Sequence, residues 1–159
     1  MKRRLLLAED DVALASLLEE YLSEADYDIS TFSRGDTALE ALRREKFDLV
    51  LSDIVMPGAD GLSILREVAG RPLDTLVLLM TGYSGIEDAL HAVEQGAYDF
   101  VSKPFQLPEI RVRLDNAARY QELLRRLVAV TGESETTETS SRAAESAAAR
   151  AYGLHLIQS

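Results

Sequence analysis

Two hydrophobic periods alternate along the first 126 residues. Arg4 to Ala8 is a short, nearly continuous apolar run, and Leu49, Val50 and Leu51 form another. Runs of this kind belong to strands buried on both faces of a parallel sheet. Tyr27 to Phe32 (YDISTF) alternates in polarity and reads as a strand at or near an edge. Thr75 to Met80 (TLVLLM) and Tyr98 to Ser102 predict a fourth and a fifth strand. Between them the apolar spacing changes to three and four residues, the mark of helices. The first helix spans about Val12 to Ala25 with Leu14, Leu17, Leu18, Tyr21 and Leu22 on its apolar face. The second runs from Thr37 to Glu45 with Ala38, Leu39, Ala41 and Leu42 inward, and the third from Asp60 to Ala69, ending near Gly70. Ser84 is read as the N-cap of a fourth helix carrying Ile86, Ala89, Leu90 and Val93 and closed by Gly96. A last helix starts near Pro108 and runs past Arg126. Its stripe is Ile110, Leu114, Ala117, Leu124 and Val128, interrupted by Gln121.

Five strands alternating with five helices predict an α/β fold, a doubly wound five-stranded parallel sheet with helices on both faces. Right-handed crossovers place every strand's carboxyl end on one edge, where open α/β sheets bind ligands. The third strand stops at Ser52-Asp53, and Pro57-Gly58 and Asp60-Gly61 mark an abrupt loop after it. Four strand ends then bring together Glu9 and Asp10, Asp53, Thr81, and Lys103. Asp11, at a helix entrance, is read as an N-cap. Pro104 after Lys103 suggests an unusual loop with a cis bond that aims the lysine inward.

The chain has 159 residues, of which 47% are hydrophobic, enough for one domain with a sizeable core. The domain is assigned to residues 1–126, and residues 127–159 form a polar linker and a short alanine-rich tail. No apolar run approaches the roughly 20 residues of a membrane span, and Leu5 to Ala8 is too short for a signal peptide. Without cysteine, disulfide and thiolate chemistry are excluded, which suits a cytoplasmic protein. The net charge of −10 argues against direct DNA binding. The basic residues that cluster, Arg111, Arg113, Arg119, Arg125 and Arg126, lie on one late helix.

Three carboxylates at one sheet edge repel each other. At an effective dielectric of about 20, each pair at about 4 Å costs roughly 4 kcal/mol. Lys103 supplies one positive charge, so the cluster calls for a further cation. An oxygen-only pocket suits Mg²⁺, and the lack of cysteine and of a nearby histidine argues against zinc. Mg²⁺, a lysine and a hydroxyl form a cradle for a phosphoryl group, and a carboxylate can serve as its acceptor. Asp53 is then the phosphoacceptor, Glu9 and Asp10 hold the metal, and Lys103 and Thr81 each engage a phosphoryl oxygen.

The motifs LLAEDD, LVLSDIVMPGADG, LLMTG and GAYDFVSKPF, in this order, resemble those of the receiver domain of a two-component response regulator. The resemblance covers the first 120-odd residues. It implies a flavodoxin-like sheet of order 2-1-3-4-5. It implies phosphorylation of Asp53 by a histidine kinase or a histidine phosphotransfer protein, and a metal held also by Asp53 and by the backbone carbonyl of Val55. Glu9 stands where many members carry aspartate. The resemblance further implies a switch in which the Thr81 hydroxyl moves toward the phosphoryl group and an aromatic three residues before the lysine turns inward. That aromatic is Phe100, which has no hydroxyl. The output face would be the fourth helix, fifth strand and fifth helix, meeting a downstream protein. Val55 and Tyr83 are expected to line the entrance and to limit water's access to the phosphoaspartate.

Such a chain is a self-phosphorylating, slowly autodephosphorylating switch rather than a turnover enzyme. The rival readings are a pseudo-receiver adaptor that works without phosphorylation and a haloacid-dehalogenase-type phosphohydrolase. The phosphohydrolase pattern resembles D-x-D, and Val55 stands at its second aspartate. A flavin or nucleotide binder is disfavoured because Glu9, Asp10 and Asp11 would repel a phosphate. The apolar residues Leu123, Leu127 and Val130 continue beyond the needs of the core and suggest a homodimer.

Overall fold

The computed structural model describes residues 2–82 and 86–131, without the side chains of residues 86, 88 and 89. Tyr83, Ser84, His155 and the tail segment 132–159 lie outside the described residues. The order is β1 (Arg3–Ala8), α1 (Val12–Ser23), β2 (Tyr27–Phe32), α2 (Gly35–Arg44), β3 (Leu49–Asp53), α3 (Gly61–Val68), β4 (Leu76–Thr81), α4 (Ile86–Glu94), β5 (Asp99–Ser102) and α5 (Leu107–Thr131). All strand pairs are parallel and the sheet order is β2-β1-β3-β4-β5, as the resemblance implies.

The continuous apolar runs split by the two-residue period of a strand. Leu5, Leu7, Leu49, Leu51, Leu76, Leu78 and Met80 point to the layer of α1 and α5. Leu6, Ala8, Val50, Val77 and Leu79 point to the layer of α2, α3 and α4. Burial on both sides is why these strands carry no polar alternation, whereas β2, at the edge, does.

Two helix faces differ from expectation. Leu17 is 54% exposed, because α1 packs through Ala15, Leu18 and Leu22. Leu90 is 43% exposed, and α4 seats Ala92 in the core instead. On α5, Gln121 does not break the stripe but joins it. It is fully buried, and its Nε2 donates to the Asp48 carbonyl at 2.9 Å. Arg125 donates to the Asp48 carboxylate at 3.0 Å and to the Leu73 carbonyl at 2.7 Å. These bonds fasten α5 across the amino ends of β3 and β4.

Candidate functional site

The site sits at the carboxyl edge of β1, β3, β4 and β5. Ala8 pairs with Ser52, Asp53 with Met80, and Thr81 with Ser102, so the strand ends stay in step. Two backbone hydrogen bonds hold them. The Ile54 amide donates to the Met80 carbonyl at 3.0 Å. The Lys103 amide donates to the Thr81 carbonyl at 2.7 Å. The Lys103-Pro104 peptide is cis, as the sequence suggests.

Glu9, Asp10 and Asp53 each offer a carboxylate oxygen, and these oxygens lie within 4.8 Å of one another. Glu9 and Asp53 are buried, while Asp10 is exposed at the rim. Lys103 Nζ donates to Glu9 Oε1 at 2.6 Å and to Asp53 Oδ2 at 2.5 Å. The remaining oxygens are also engaged: Asp53 Oδ1 accepts from the Val55 amide at 3.1 Å, and Glu9 Oε2 accepts from the Asp11 amide at 3.1 Å. Burial pushes the Glu9 carboxyl up, and the hydrogen bonds from Lys103 and Asp11 pull against it. Burial also pulls Lys103 down, but its bonds to Asp53 and Glu9 prevail and hold the ammonium above its ordinary value. The lysine is therefore a cation fixed between two buried carboxylates, and Asp10 is left exposed at the rim.

An all-oxygen donor set of three carboxylates fits a hard divalent cation. Such an ion would neutralise what one ammonium cannot. Thr81 is buried at the end of β4, beside this cluster. Val55 enters the site through its amide, and its side chain is 76% exposed at the mouth. Phe100 is half-buried and packs with the α2–α4 layer. Asp11 is the N-cap of α1, its carboxylate accepting from the Leu14 amide at 3.2 Å. Tyr83, expected at the entrance, lies outside the described residues.

Two glycines matter more than their sequence context indicates. A Cβ on Gly61 would lie 2.6 Å from the Asp53 carbonyl oxygen and 2.9 Å from Ile54 Cα. A Cβ on Gly35 would lie 1.7 Å from the Ala59 carbonyl oxygen. The loop after Asp53 is thus pressed against α2 and against β3 itself. The Asp60-Gly61 pair signals a turn in the sequence, but not this contact.

The family model for the response regulator receiver domain matches residues 5–115. The chain belongs to that family. It is 38% identical over 117 residues to the DNA-binding transcriptional regulator NtrC of Klebsiella pneumoniae, covering 73% of this chain and 25% of that protein. It is 40% identical over 120 residues to the response regulator protein FleR of Pseudomonas aeruginosa, covering 76% of this chain and 25% of that protein. Among solved structures, NtrX from Brucella abortus is similar with a TM-score of 0.74 at 30% identity, covering 82% of this chain and 30% of that one. The signal receiver domain of a LuxO repressor protein from Vibrio parahaemolyticus has a TM-score of 0.74 at 25% identity, covering 80% and 98%. The chain spans about a quarter of the length of these curated relatives, so the matched part is the receiver domain.

The DNA binding in one relative's name belongs to that whole protein. Here four of the five α5 arginines are engaged by carboxylates: Arg111 by Asp115, Arg113 by Asp99, Arg125 by Asp48 and Arg126 by Glu122. No helix among the described residues is long and apolar enough to cross a membrane.

Proposed function

We propose that this receiver domain accepts a phosphoryl group on Asp53 from the phosphohistidine of a histidine kinase or phosphotransfer protein. The observation that carries the reading is the convergence of Lys103 Nζ, Glu9 and Asp53 at one sheet edge, with Asp10 open at the rim. An Asp53 carboxylate oxygen attacks phosphorus, the P–N bond breaks as the P–O bond forms, and the imidazole leaves. Bound Mg²⁺, held by Glu9, Asp10, Asp53 and the Val55 carbonyl, would supply charge neutralisation at the phosphoryl oxygens. Lys103 is already at hydrogen-bond distance from the acceptor carboxylate, so it needs little motion to follow a phosphoryl oxygen. The Thr81 hydroxyl takes a second oxygen. The added charge, close to two negative units, draws Thr81 and repacks Phe100 against α4. The face of α4, β5 and α5 then meets a downstream protein partner. The described residues act in the cytoplasm, without DNA contact of their own, and Val55 and Tyr83 slow the entry of water.

Acetyl phosphate with Mg²⁺ tests the reading by intact mass. Wild type should gain one phosphoryl group, and Asp53→Ala or omission of Mg²⁺ should abolish the gain. Equal labelling of Asp53→Ala would overturn the assignment, and no labelling of wild type under these conditions would favour an adaptor that works without phosphate.

A further inference from the structure

Helix α3 ends at Val68 and α4 at Glu94, and a glycine of positive φ follows each, Gly70 at 81° and Gly96 at 106°. Glycine in this conformation turns the chain away from the helix it ends. A Cβ at either position would meet no atom within 4 Å, so open space borders both turns. Between them, at the amino ends of β4 and β5, lies a cavity of about 410 Å³. Helix α4 brings little bulk to this end, because it seats the small Ala92 in the core. Val68 of α3, Leu76 and Val77 of β4 and Val93 of α4 form an apolar wall. Tyr98 and Tyr120 add two rings whose centroids are 5.4 Å apart and whose planes are tilted by 42°. The cavity thus reaches round the strand ends from one helical layer to the other.

Size, charge and one polar atom define what it would hold. A dry apolar cavity of about 150 Å³ takes one benzene, so this one has room for two fused rings and a substituent. Glu94, exposed, is the one acidic or basic residue of the lining. An anion would meet repulsion there, and a cation would lose its hydration in an apolar space for the attraction of one solvated carboxylate. The occupant is therefore uncharged. Tyr120 supplies the polar atom: its hydroxyl is buried and has no hydrogen-bond partner among the described residues. A buried hydroxyl left unpaired is costly, and this one can donate or accept. Apolar walls with a single unsatisfied polar group are what a small-molecule site offers.

We propose that the cavity between the carboxyl ends of α3 and α4 binds a small, uncharged two-ring aromatic molecule whose one hydroxyl or N–H group pairs with Tyr120. It lies at the opposite end of the strands from Asp53, and its test does not involve phosphorylation. The probe is 2-naphthol, with naphthalene and 2-naphthoate for comparison. The chain has no tryptophan, so naphthol emission excited beyond the tyrosine band reports binding directly. The full chain should bind 2-naphthol, and 2-naphthoate at least tenfold more weakly. Tyr120→Phe keeps the ring and should weaken 2-naphthol about fivefold while leaving naphthalene no weaker. Ala69 lines the cavity from an exposed position, so Ala69→Trp should fill the space and abolish binding. Circular dichroism confirms that each variant is folded, and Tyr120→Phe decides the matter if Ala69→Trp is not. Amide shifts on adding 2-naphthol should fall at residues 68–70 and 93–98. The proposal is overturned by no binding up to the solubility of 2-naphthol, by equal affinity in Tyr120→Phe, or by 2-naphthoate binding as well as 2-naphthol. Binding that persists in folded Ala69→Trp, or shifts confined to the outer face of α5, would place the probe elsewhere and overturn it too.

Discussion

Lys103 Nζ donates to Glu9 Oε1 across 2.6 Å, although the two residues are 94 positions apart and the Glu9 carboxylate is fully buried. One ammonium therefore holds β1 to β5 at the carboxyl edge while neutralising charge at Asp53. Its place is also where an incoming phosphoryl oxygen would be met. On the proposed function, the contact that holds the resting domain also sets Lys103 where it would meet a phosphoryl oxygen.

Lys103→Ala leaves a buried carboxylate without its cation. In the absence of divalent ions the domain should lose about 1–3 kcal/mol. Saturating Mg²⁺ should recover much of that loss, because an ion held by Glu9, Asp10 and Asp53 takes over the neutralisation and binds the folded state alone. Urea unfolding with and without Mg²⁺ measures both. Equal losses under the two conditions would show that Lys103 is not balancing this cluster.

Gly61→Ala tests the loop that follows Asp53. The new Cβ would press on the Asp53 carbonyl and on Ile54 Cα, both of them backbone and unable to swing aside. The expected cost is about 1–3 kcal/mol in stability. The acceptor carboxylate should shift away from Lys103, so the rate of phosphorylation by acetyl phosphate should fall more than the folded fraction does. An unchanged rate in folded protein would mean that the close approach does not position Asp53.

The strands and the four site segments are legible in the sequence because the apolar runs have a clear period and each segment lies at the end of a run, whereas the sheet order came from the resemblance to the receiver family. The convergence of Asp53, Lys103 and the Glu9-Asp10 pair follows from strand direction alone. What stays hidden depends on contacts between distant segments. Gln121 reads as an interruption, yet the Asp48 carbonyl gives its amide a partner in the core. Leu17 reads as core, but α1 packs through Ala15, Leu18 and Leu22, and Leu17 faces water. The pairing of Glu9 with Lys103 leaves no local trace, since neither helical nor strand spacing encodes a contact between β1 and β5. Leu123, Leu127 and Val130 of α5 are visible as surplus hydrophobicity, but their exposure becomes clear only once the helix's other face is seen packed.

Tyr27 links β2 to α5 through chemistry that depends on pH. Its hydroxyl donates to Asp115 Oδ1 at 2.7 Å, and burial, with that carboxylate, raises the phenol well above its ordinary value of 10.0. A raised folded-state value means that the stabilisation is fully present below the unfolded value and is lost as pH rises toward the folded one. Above about pH 10 the unfolded chain releases this proton while the folded chain keeps it. Tyr98 and Tyr120 are raised by burial in the same direction. Tyr27→Phe should cost about 1 kcal/mol near neutral pH, because a half-exposed Asp115 can turn to water or to Arg111. The gap between wild type and Tyr27→Phe should then narrow as pH rises past about 10, since phenylalanine has no proton to hold. Chemical unfolding across that range isolates the contribution of Tyr27, because Tyr98 and Tyr120 titrate in both proteins. A gap that stays constant through the alkaline range would place the Tyr27 proton outside the folding equilibrium.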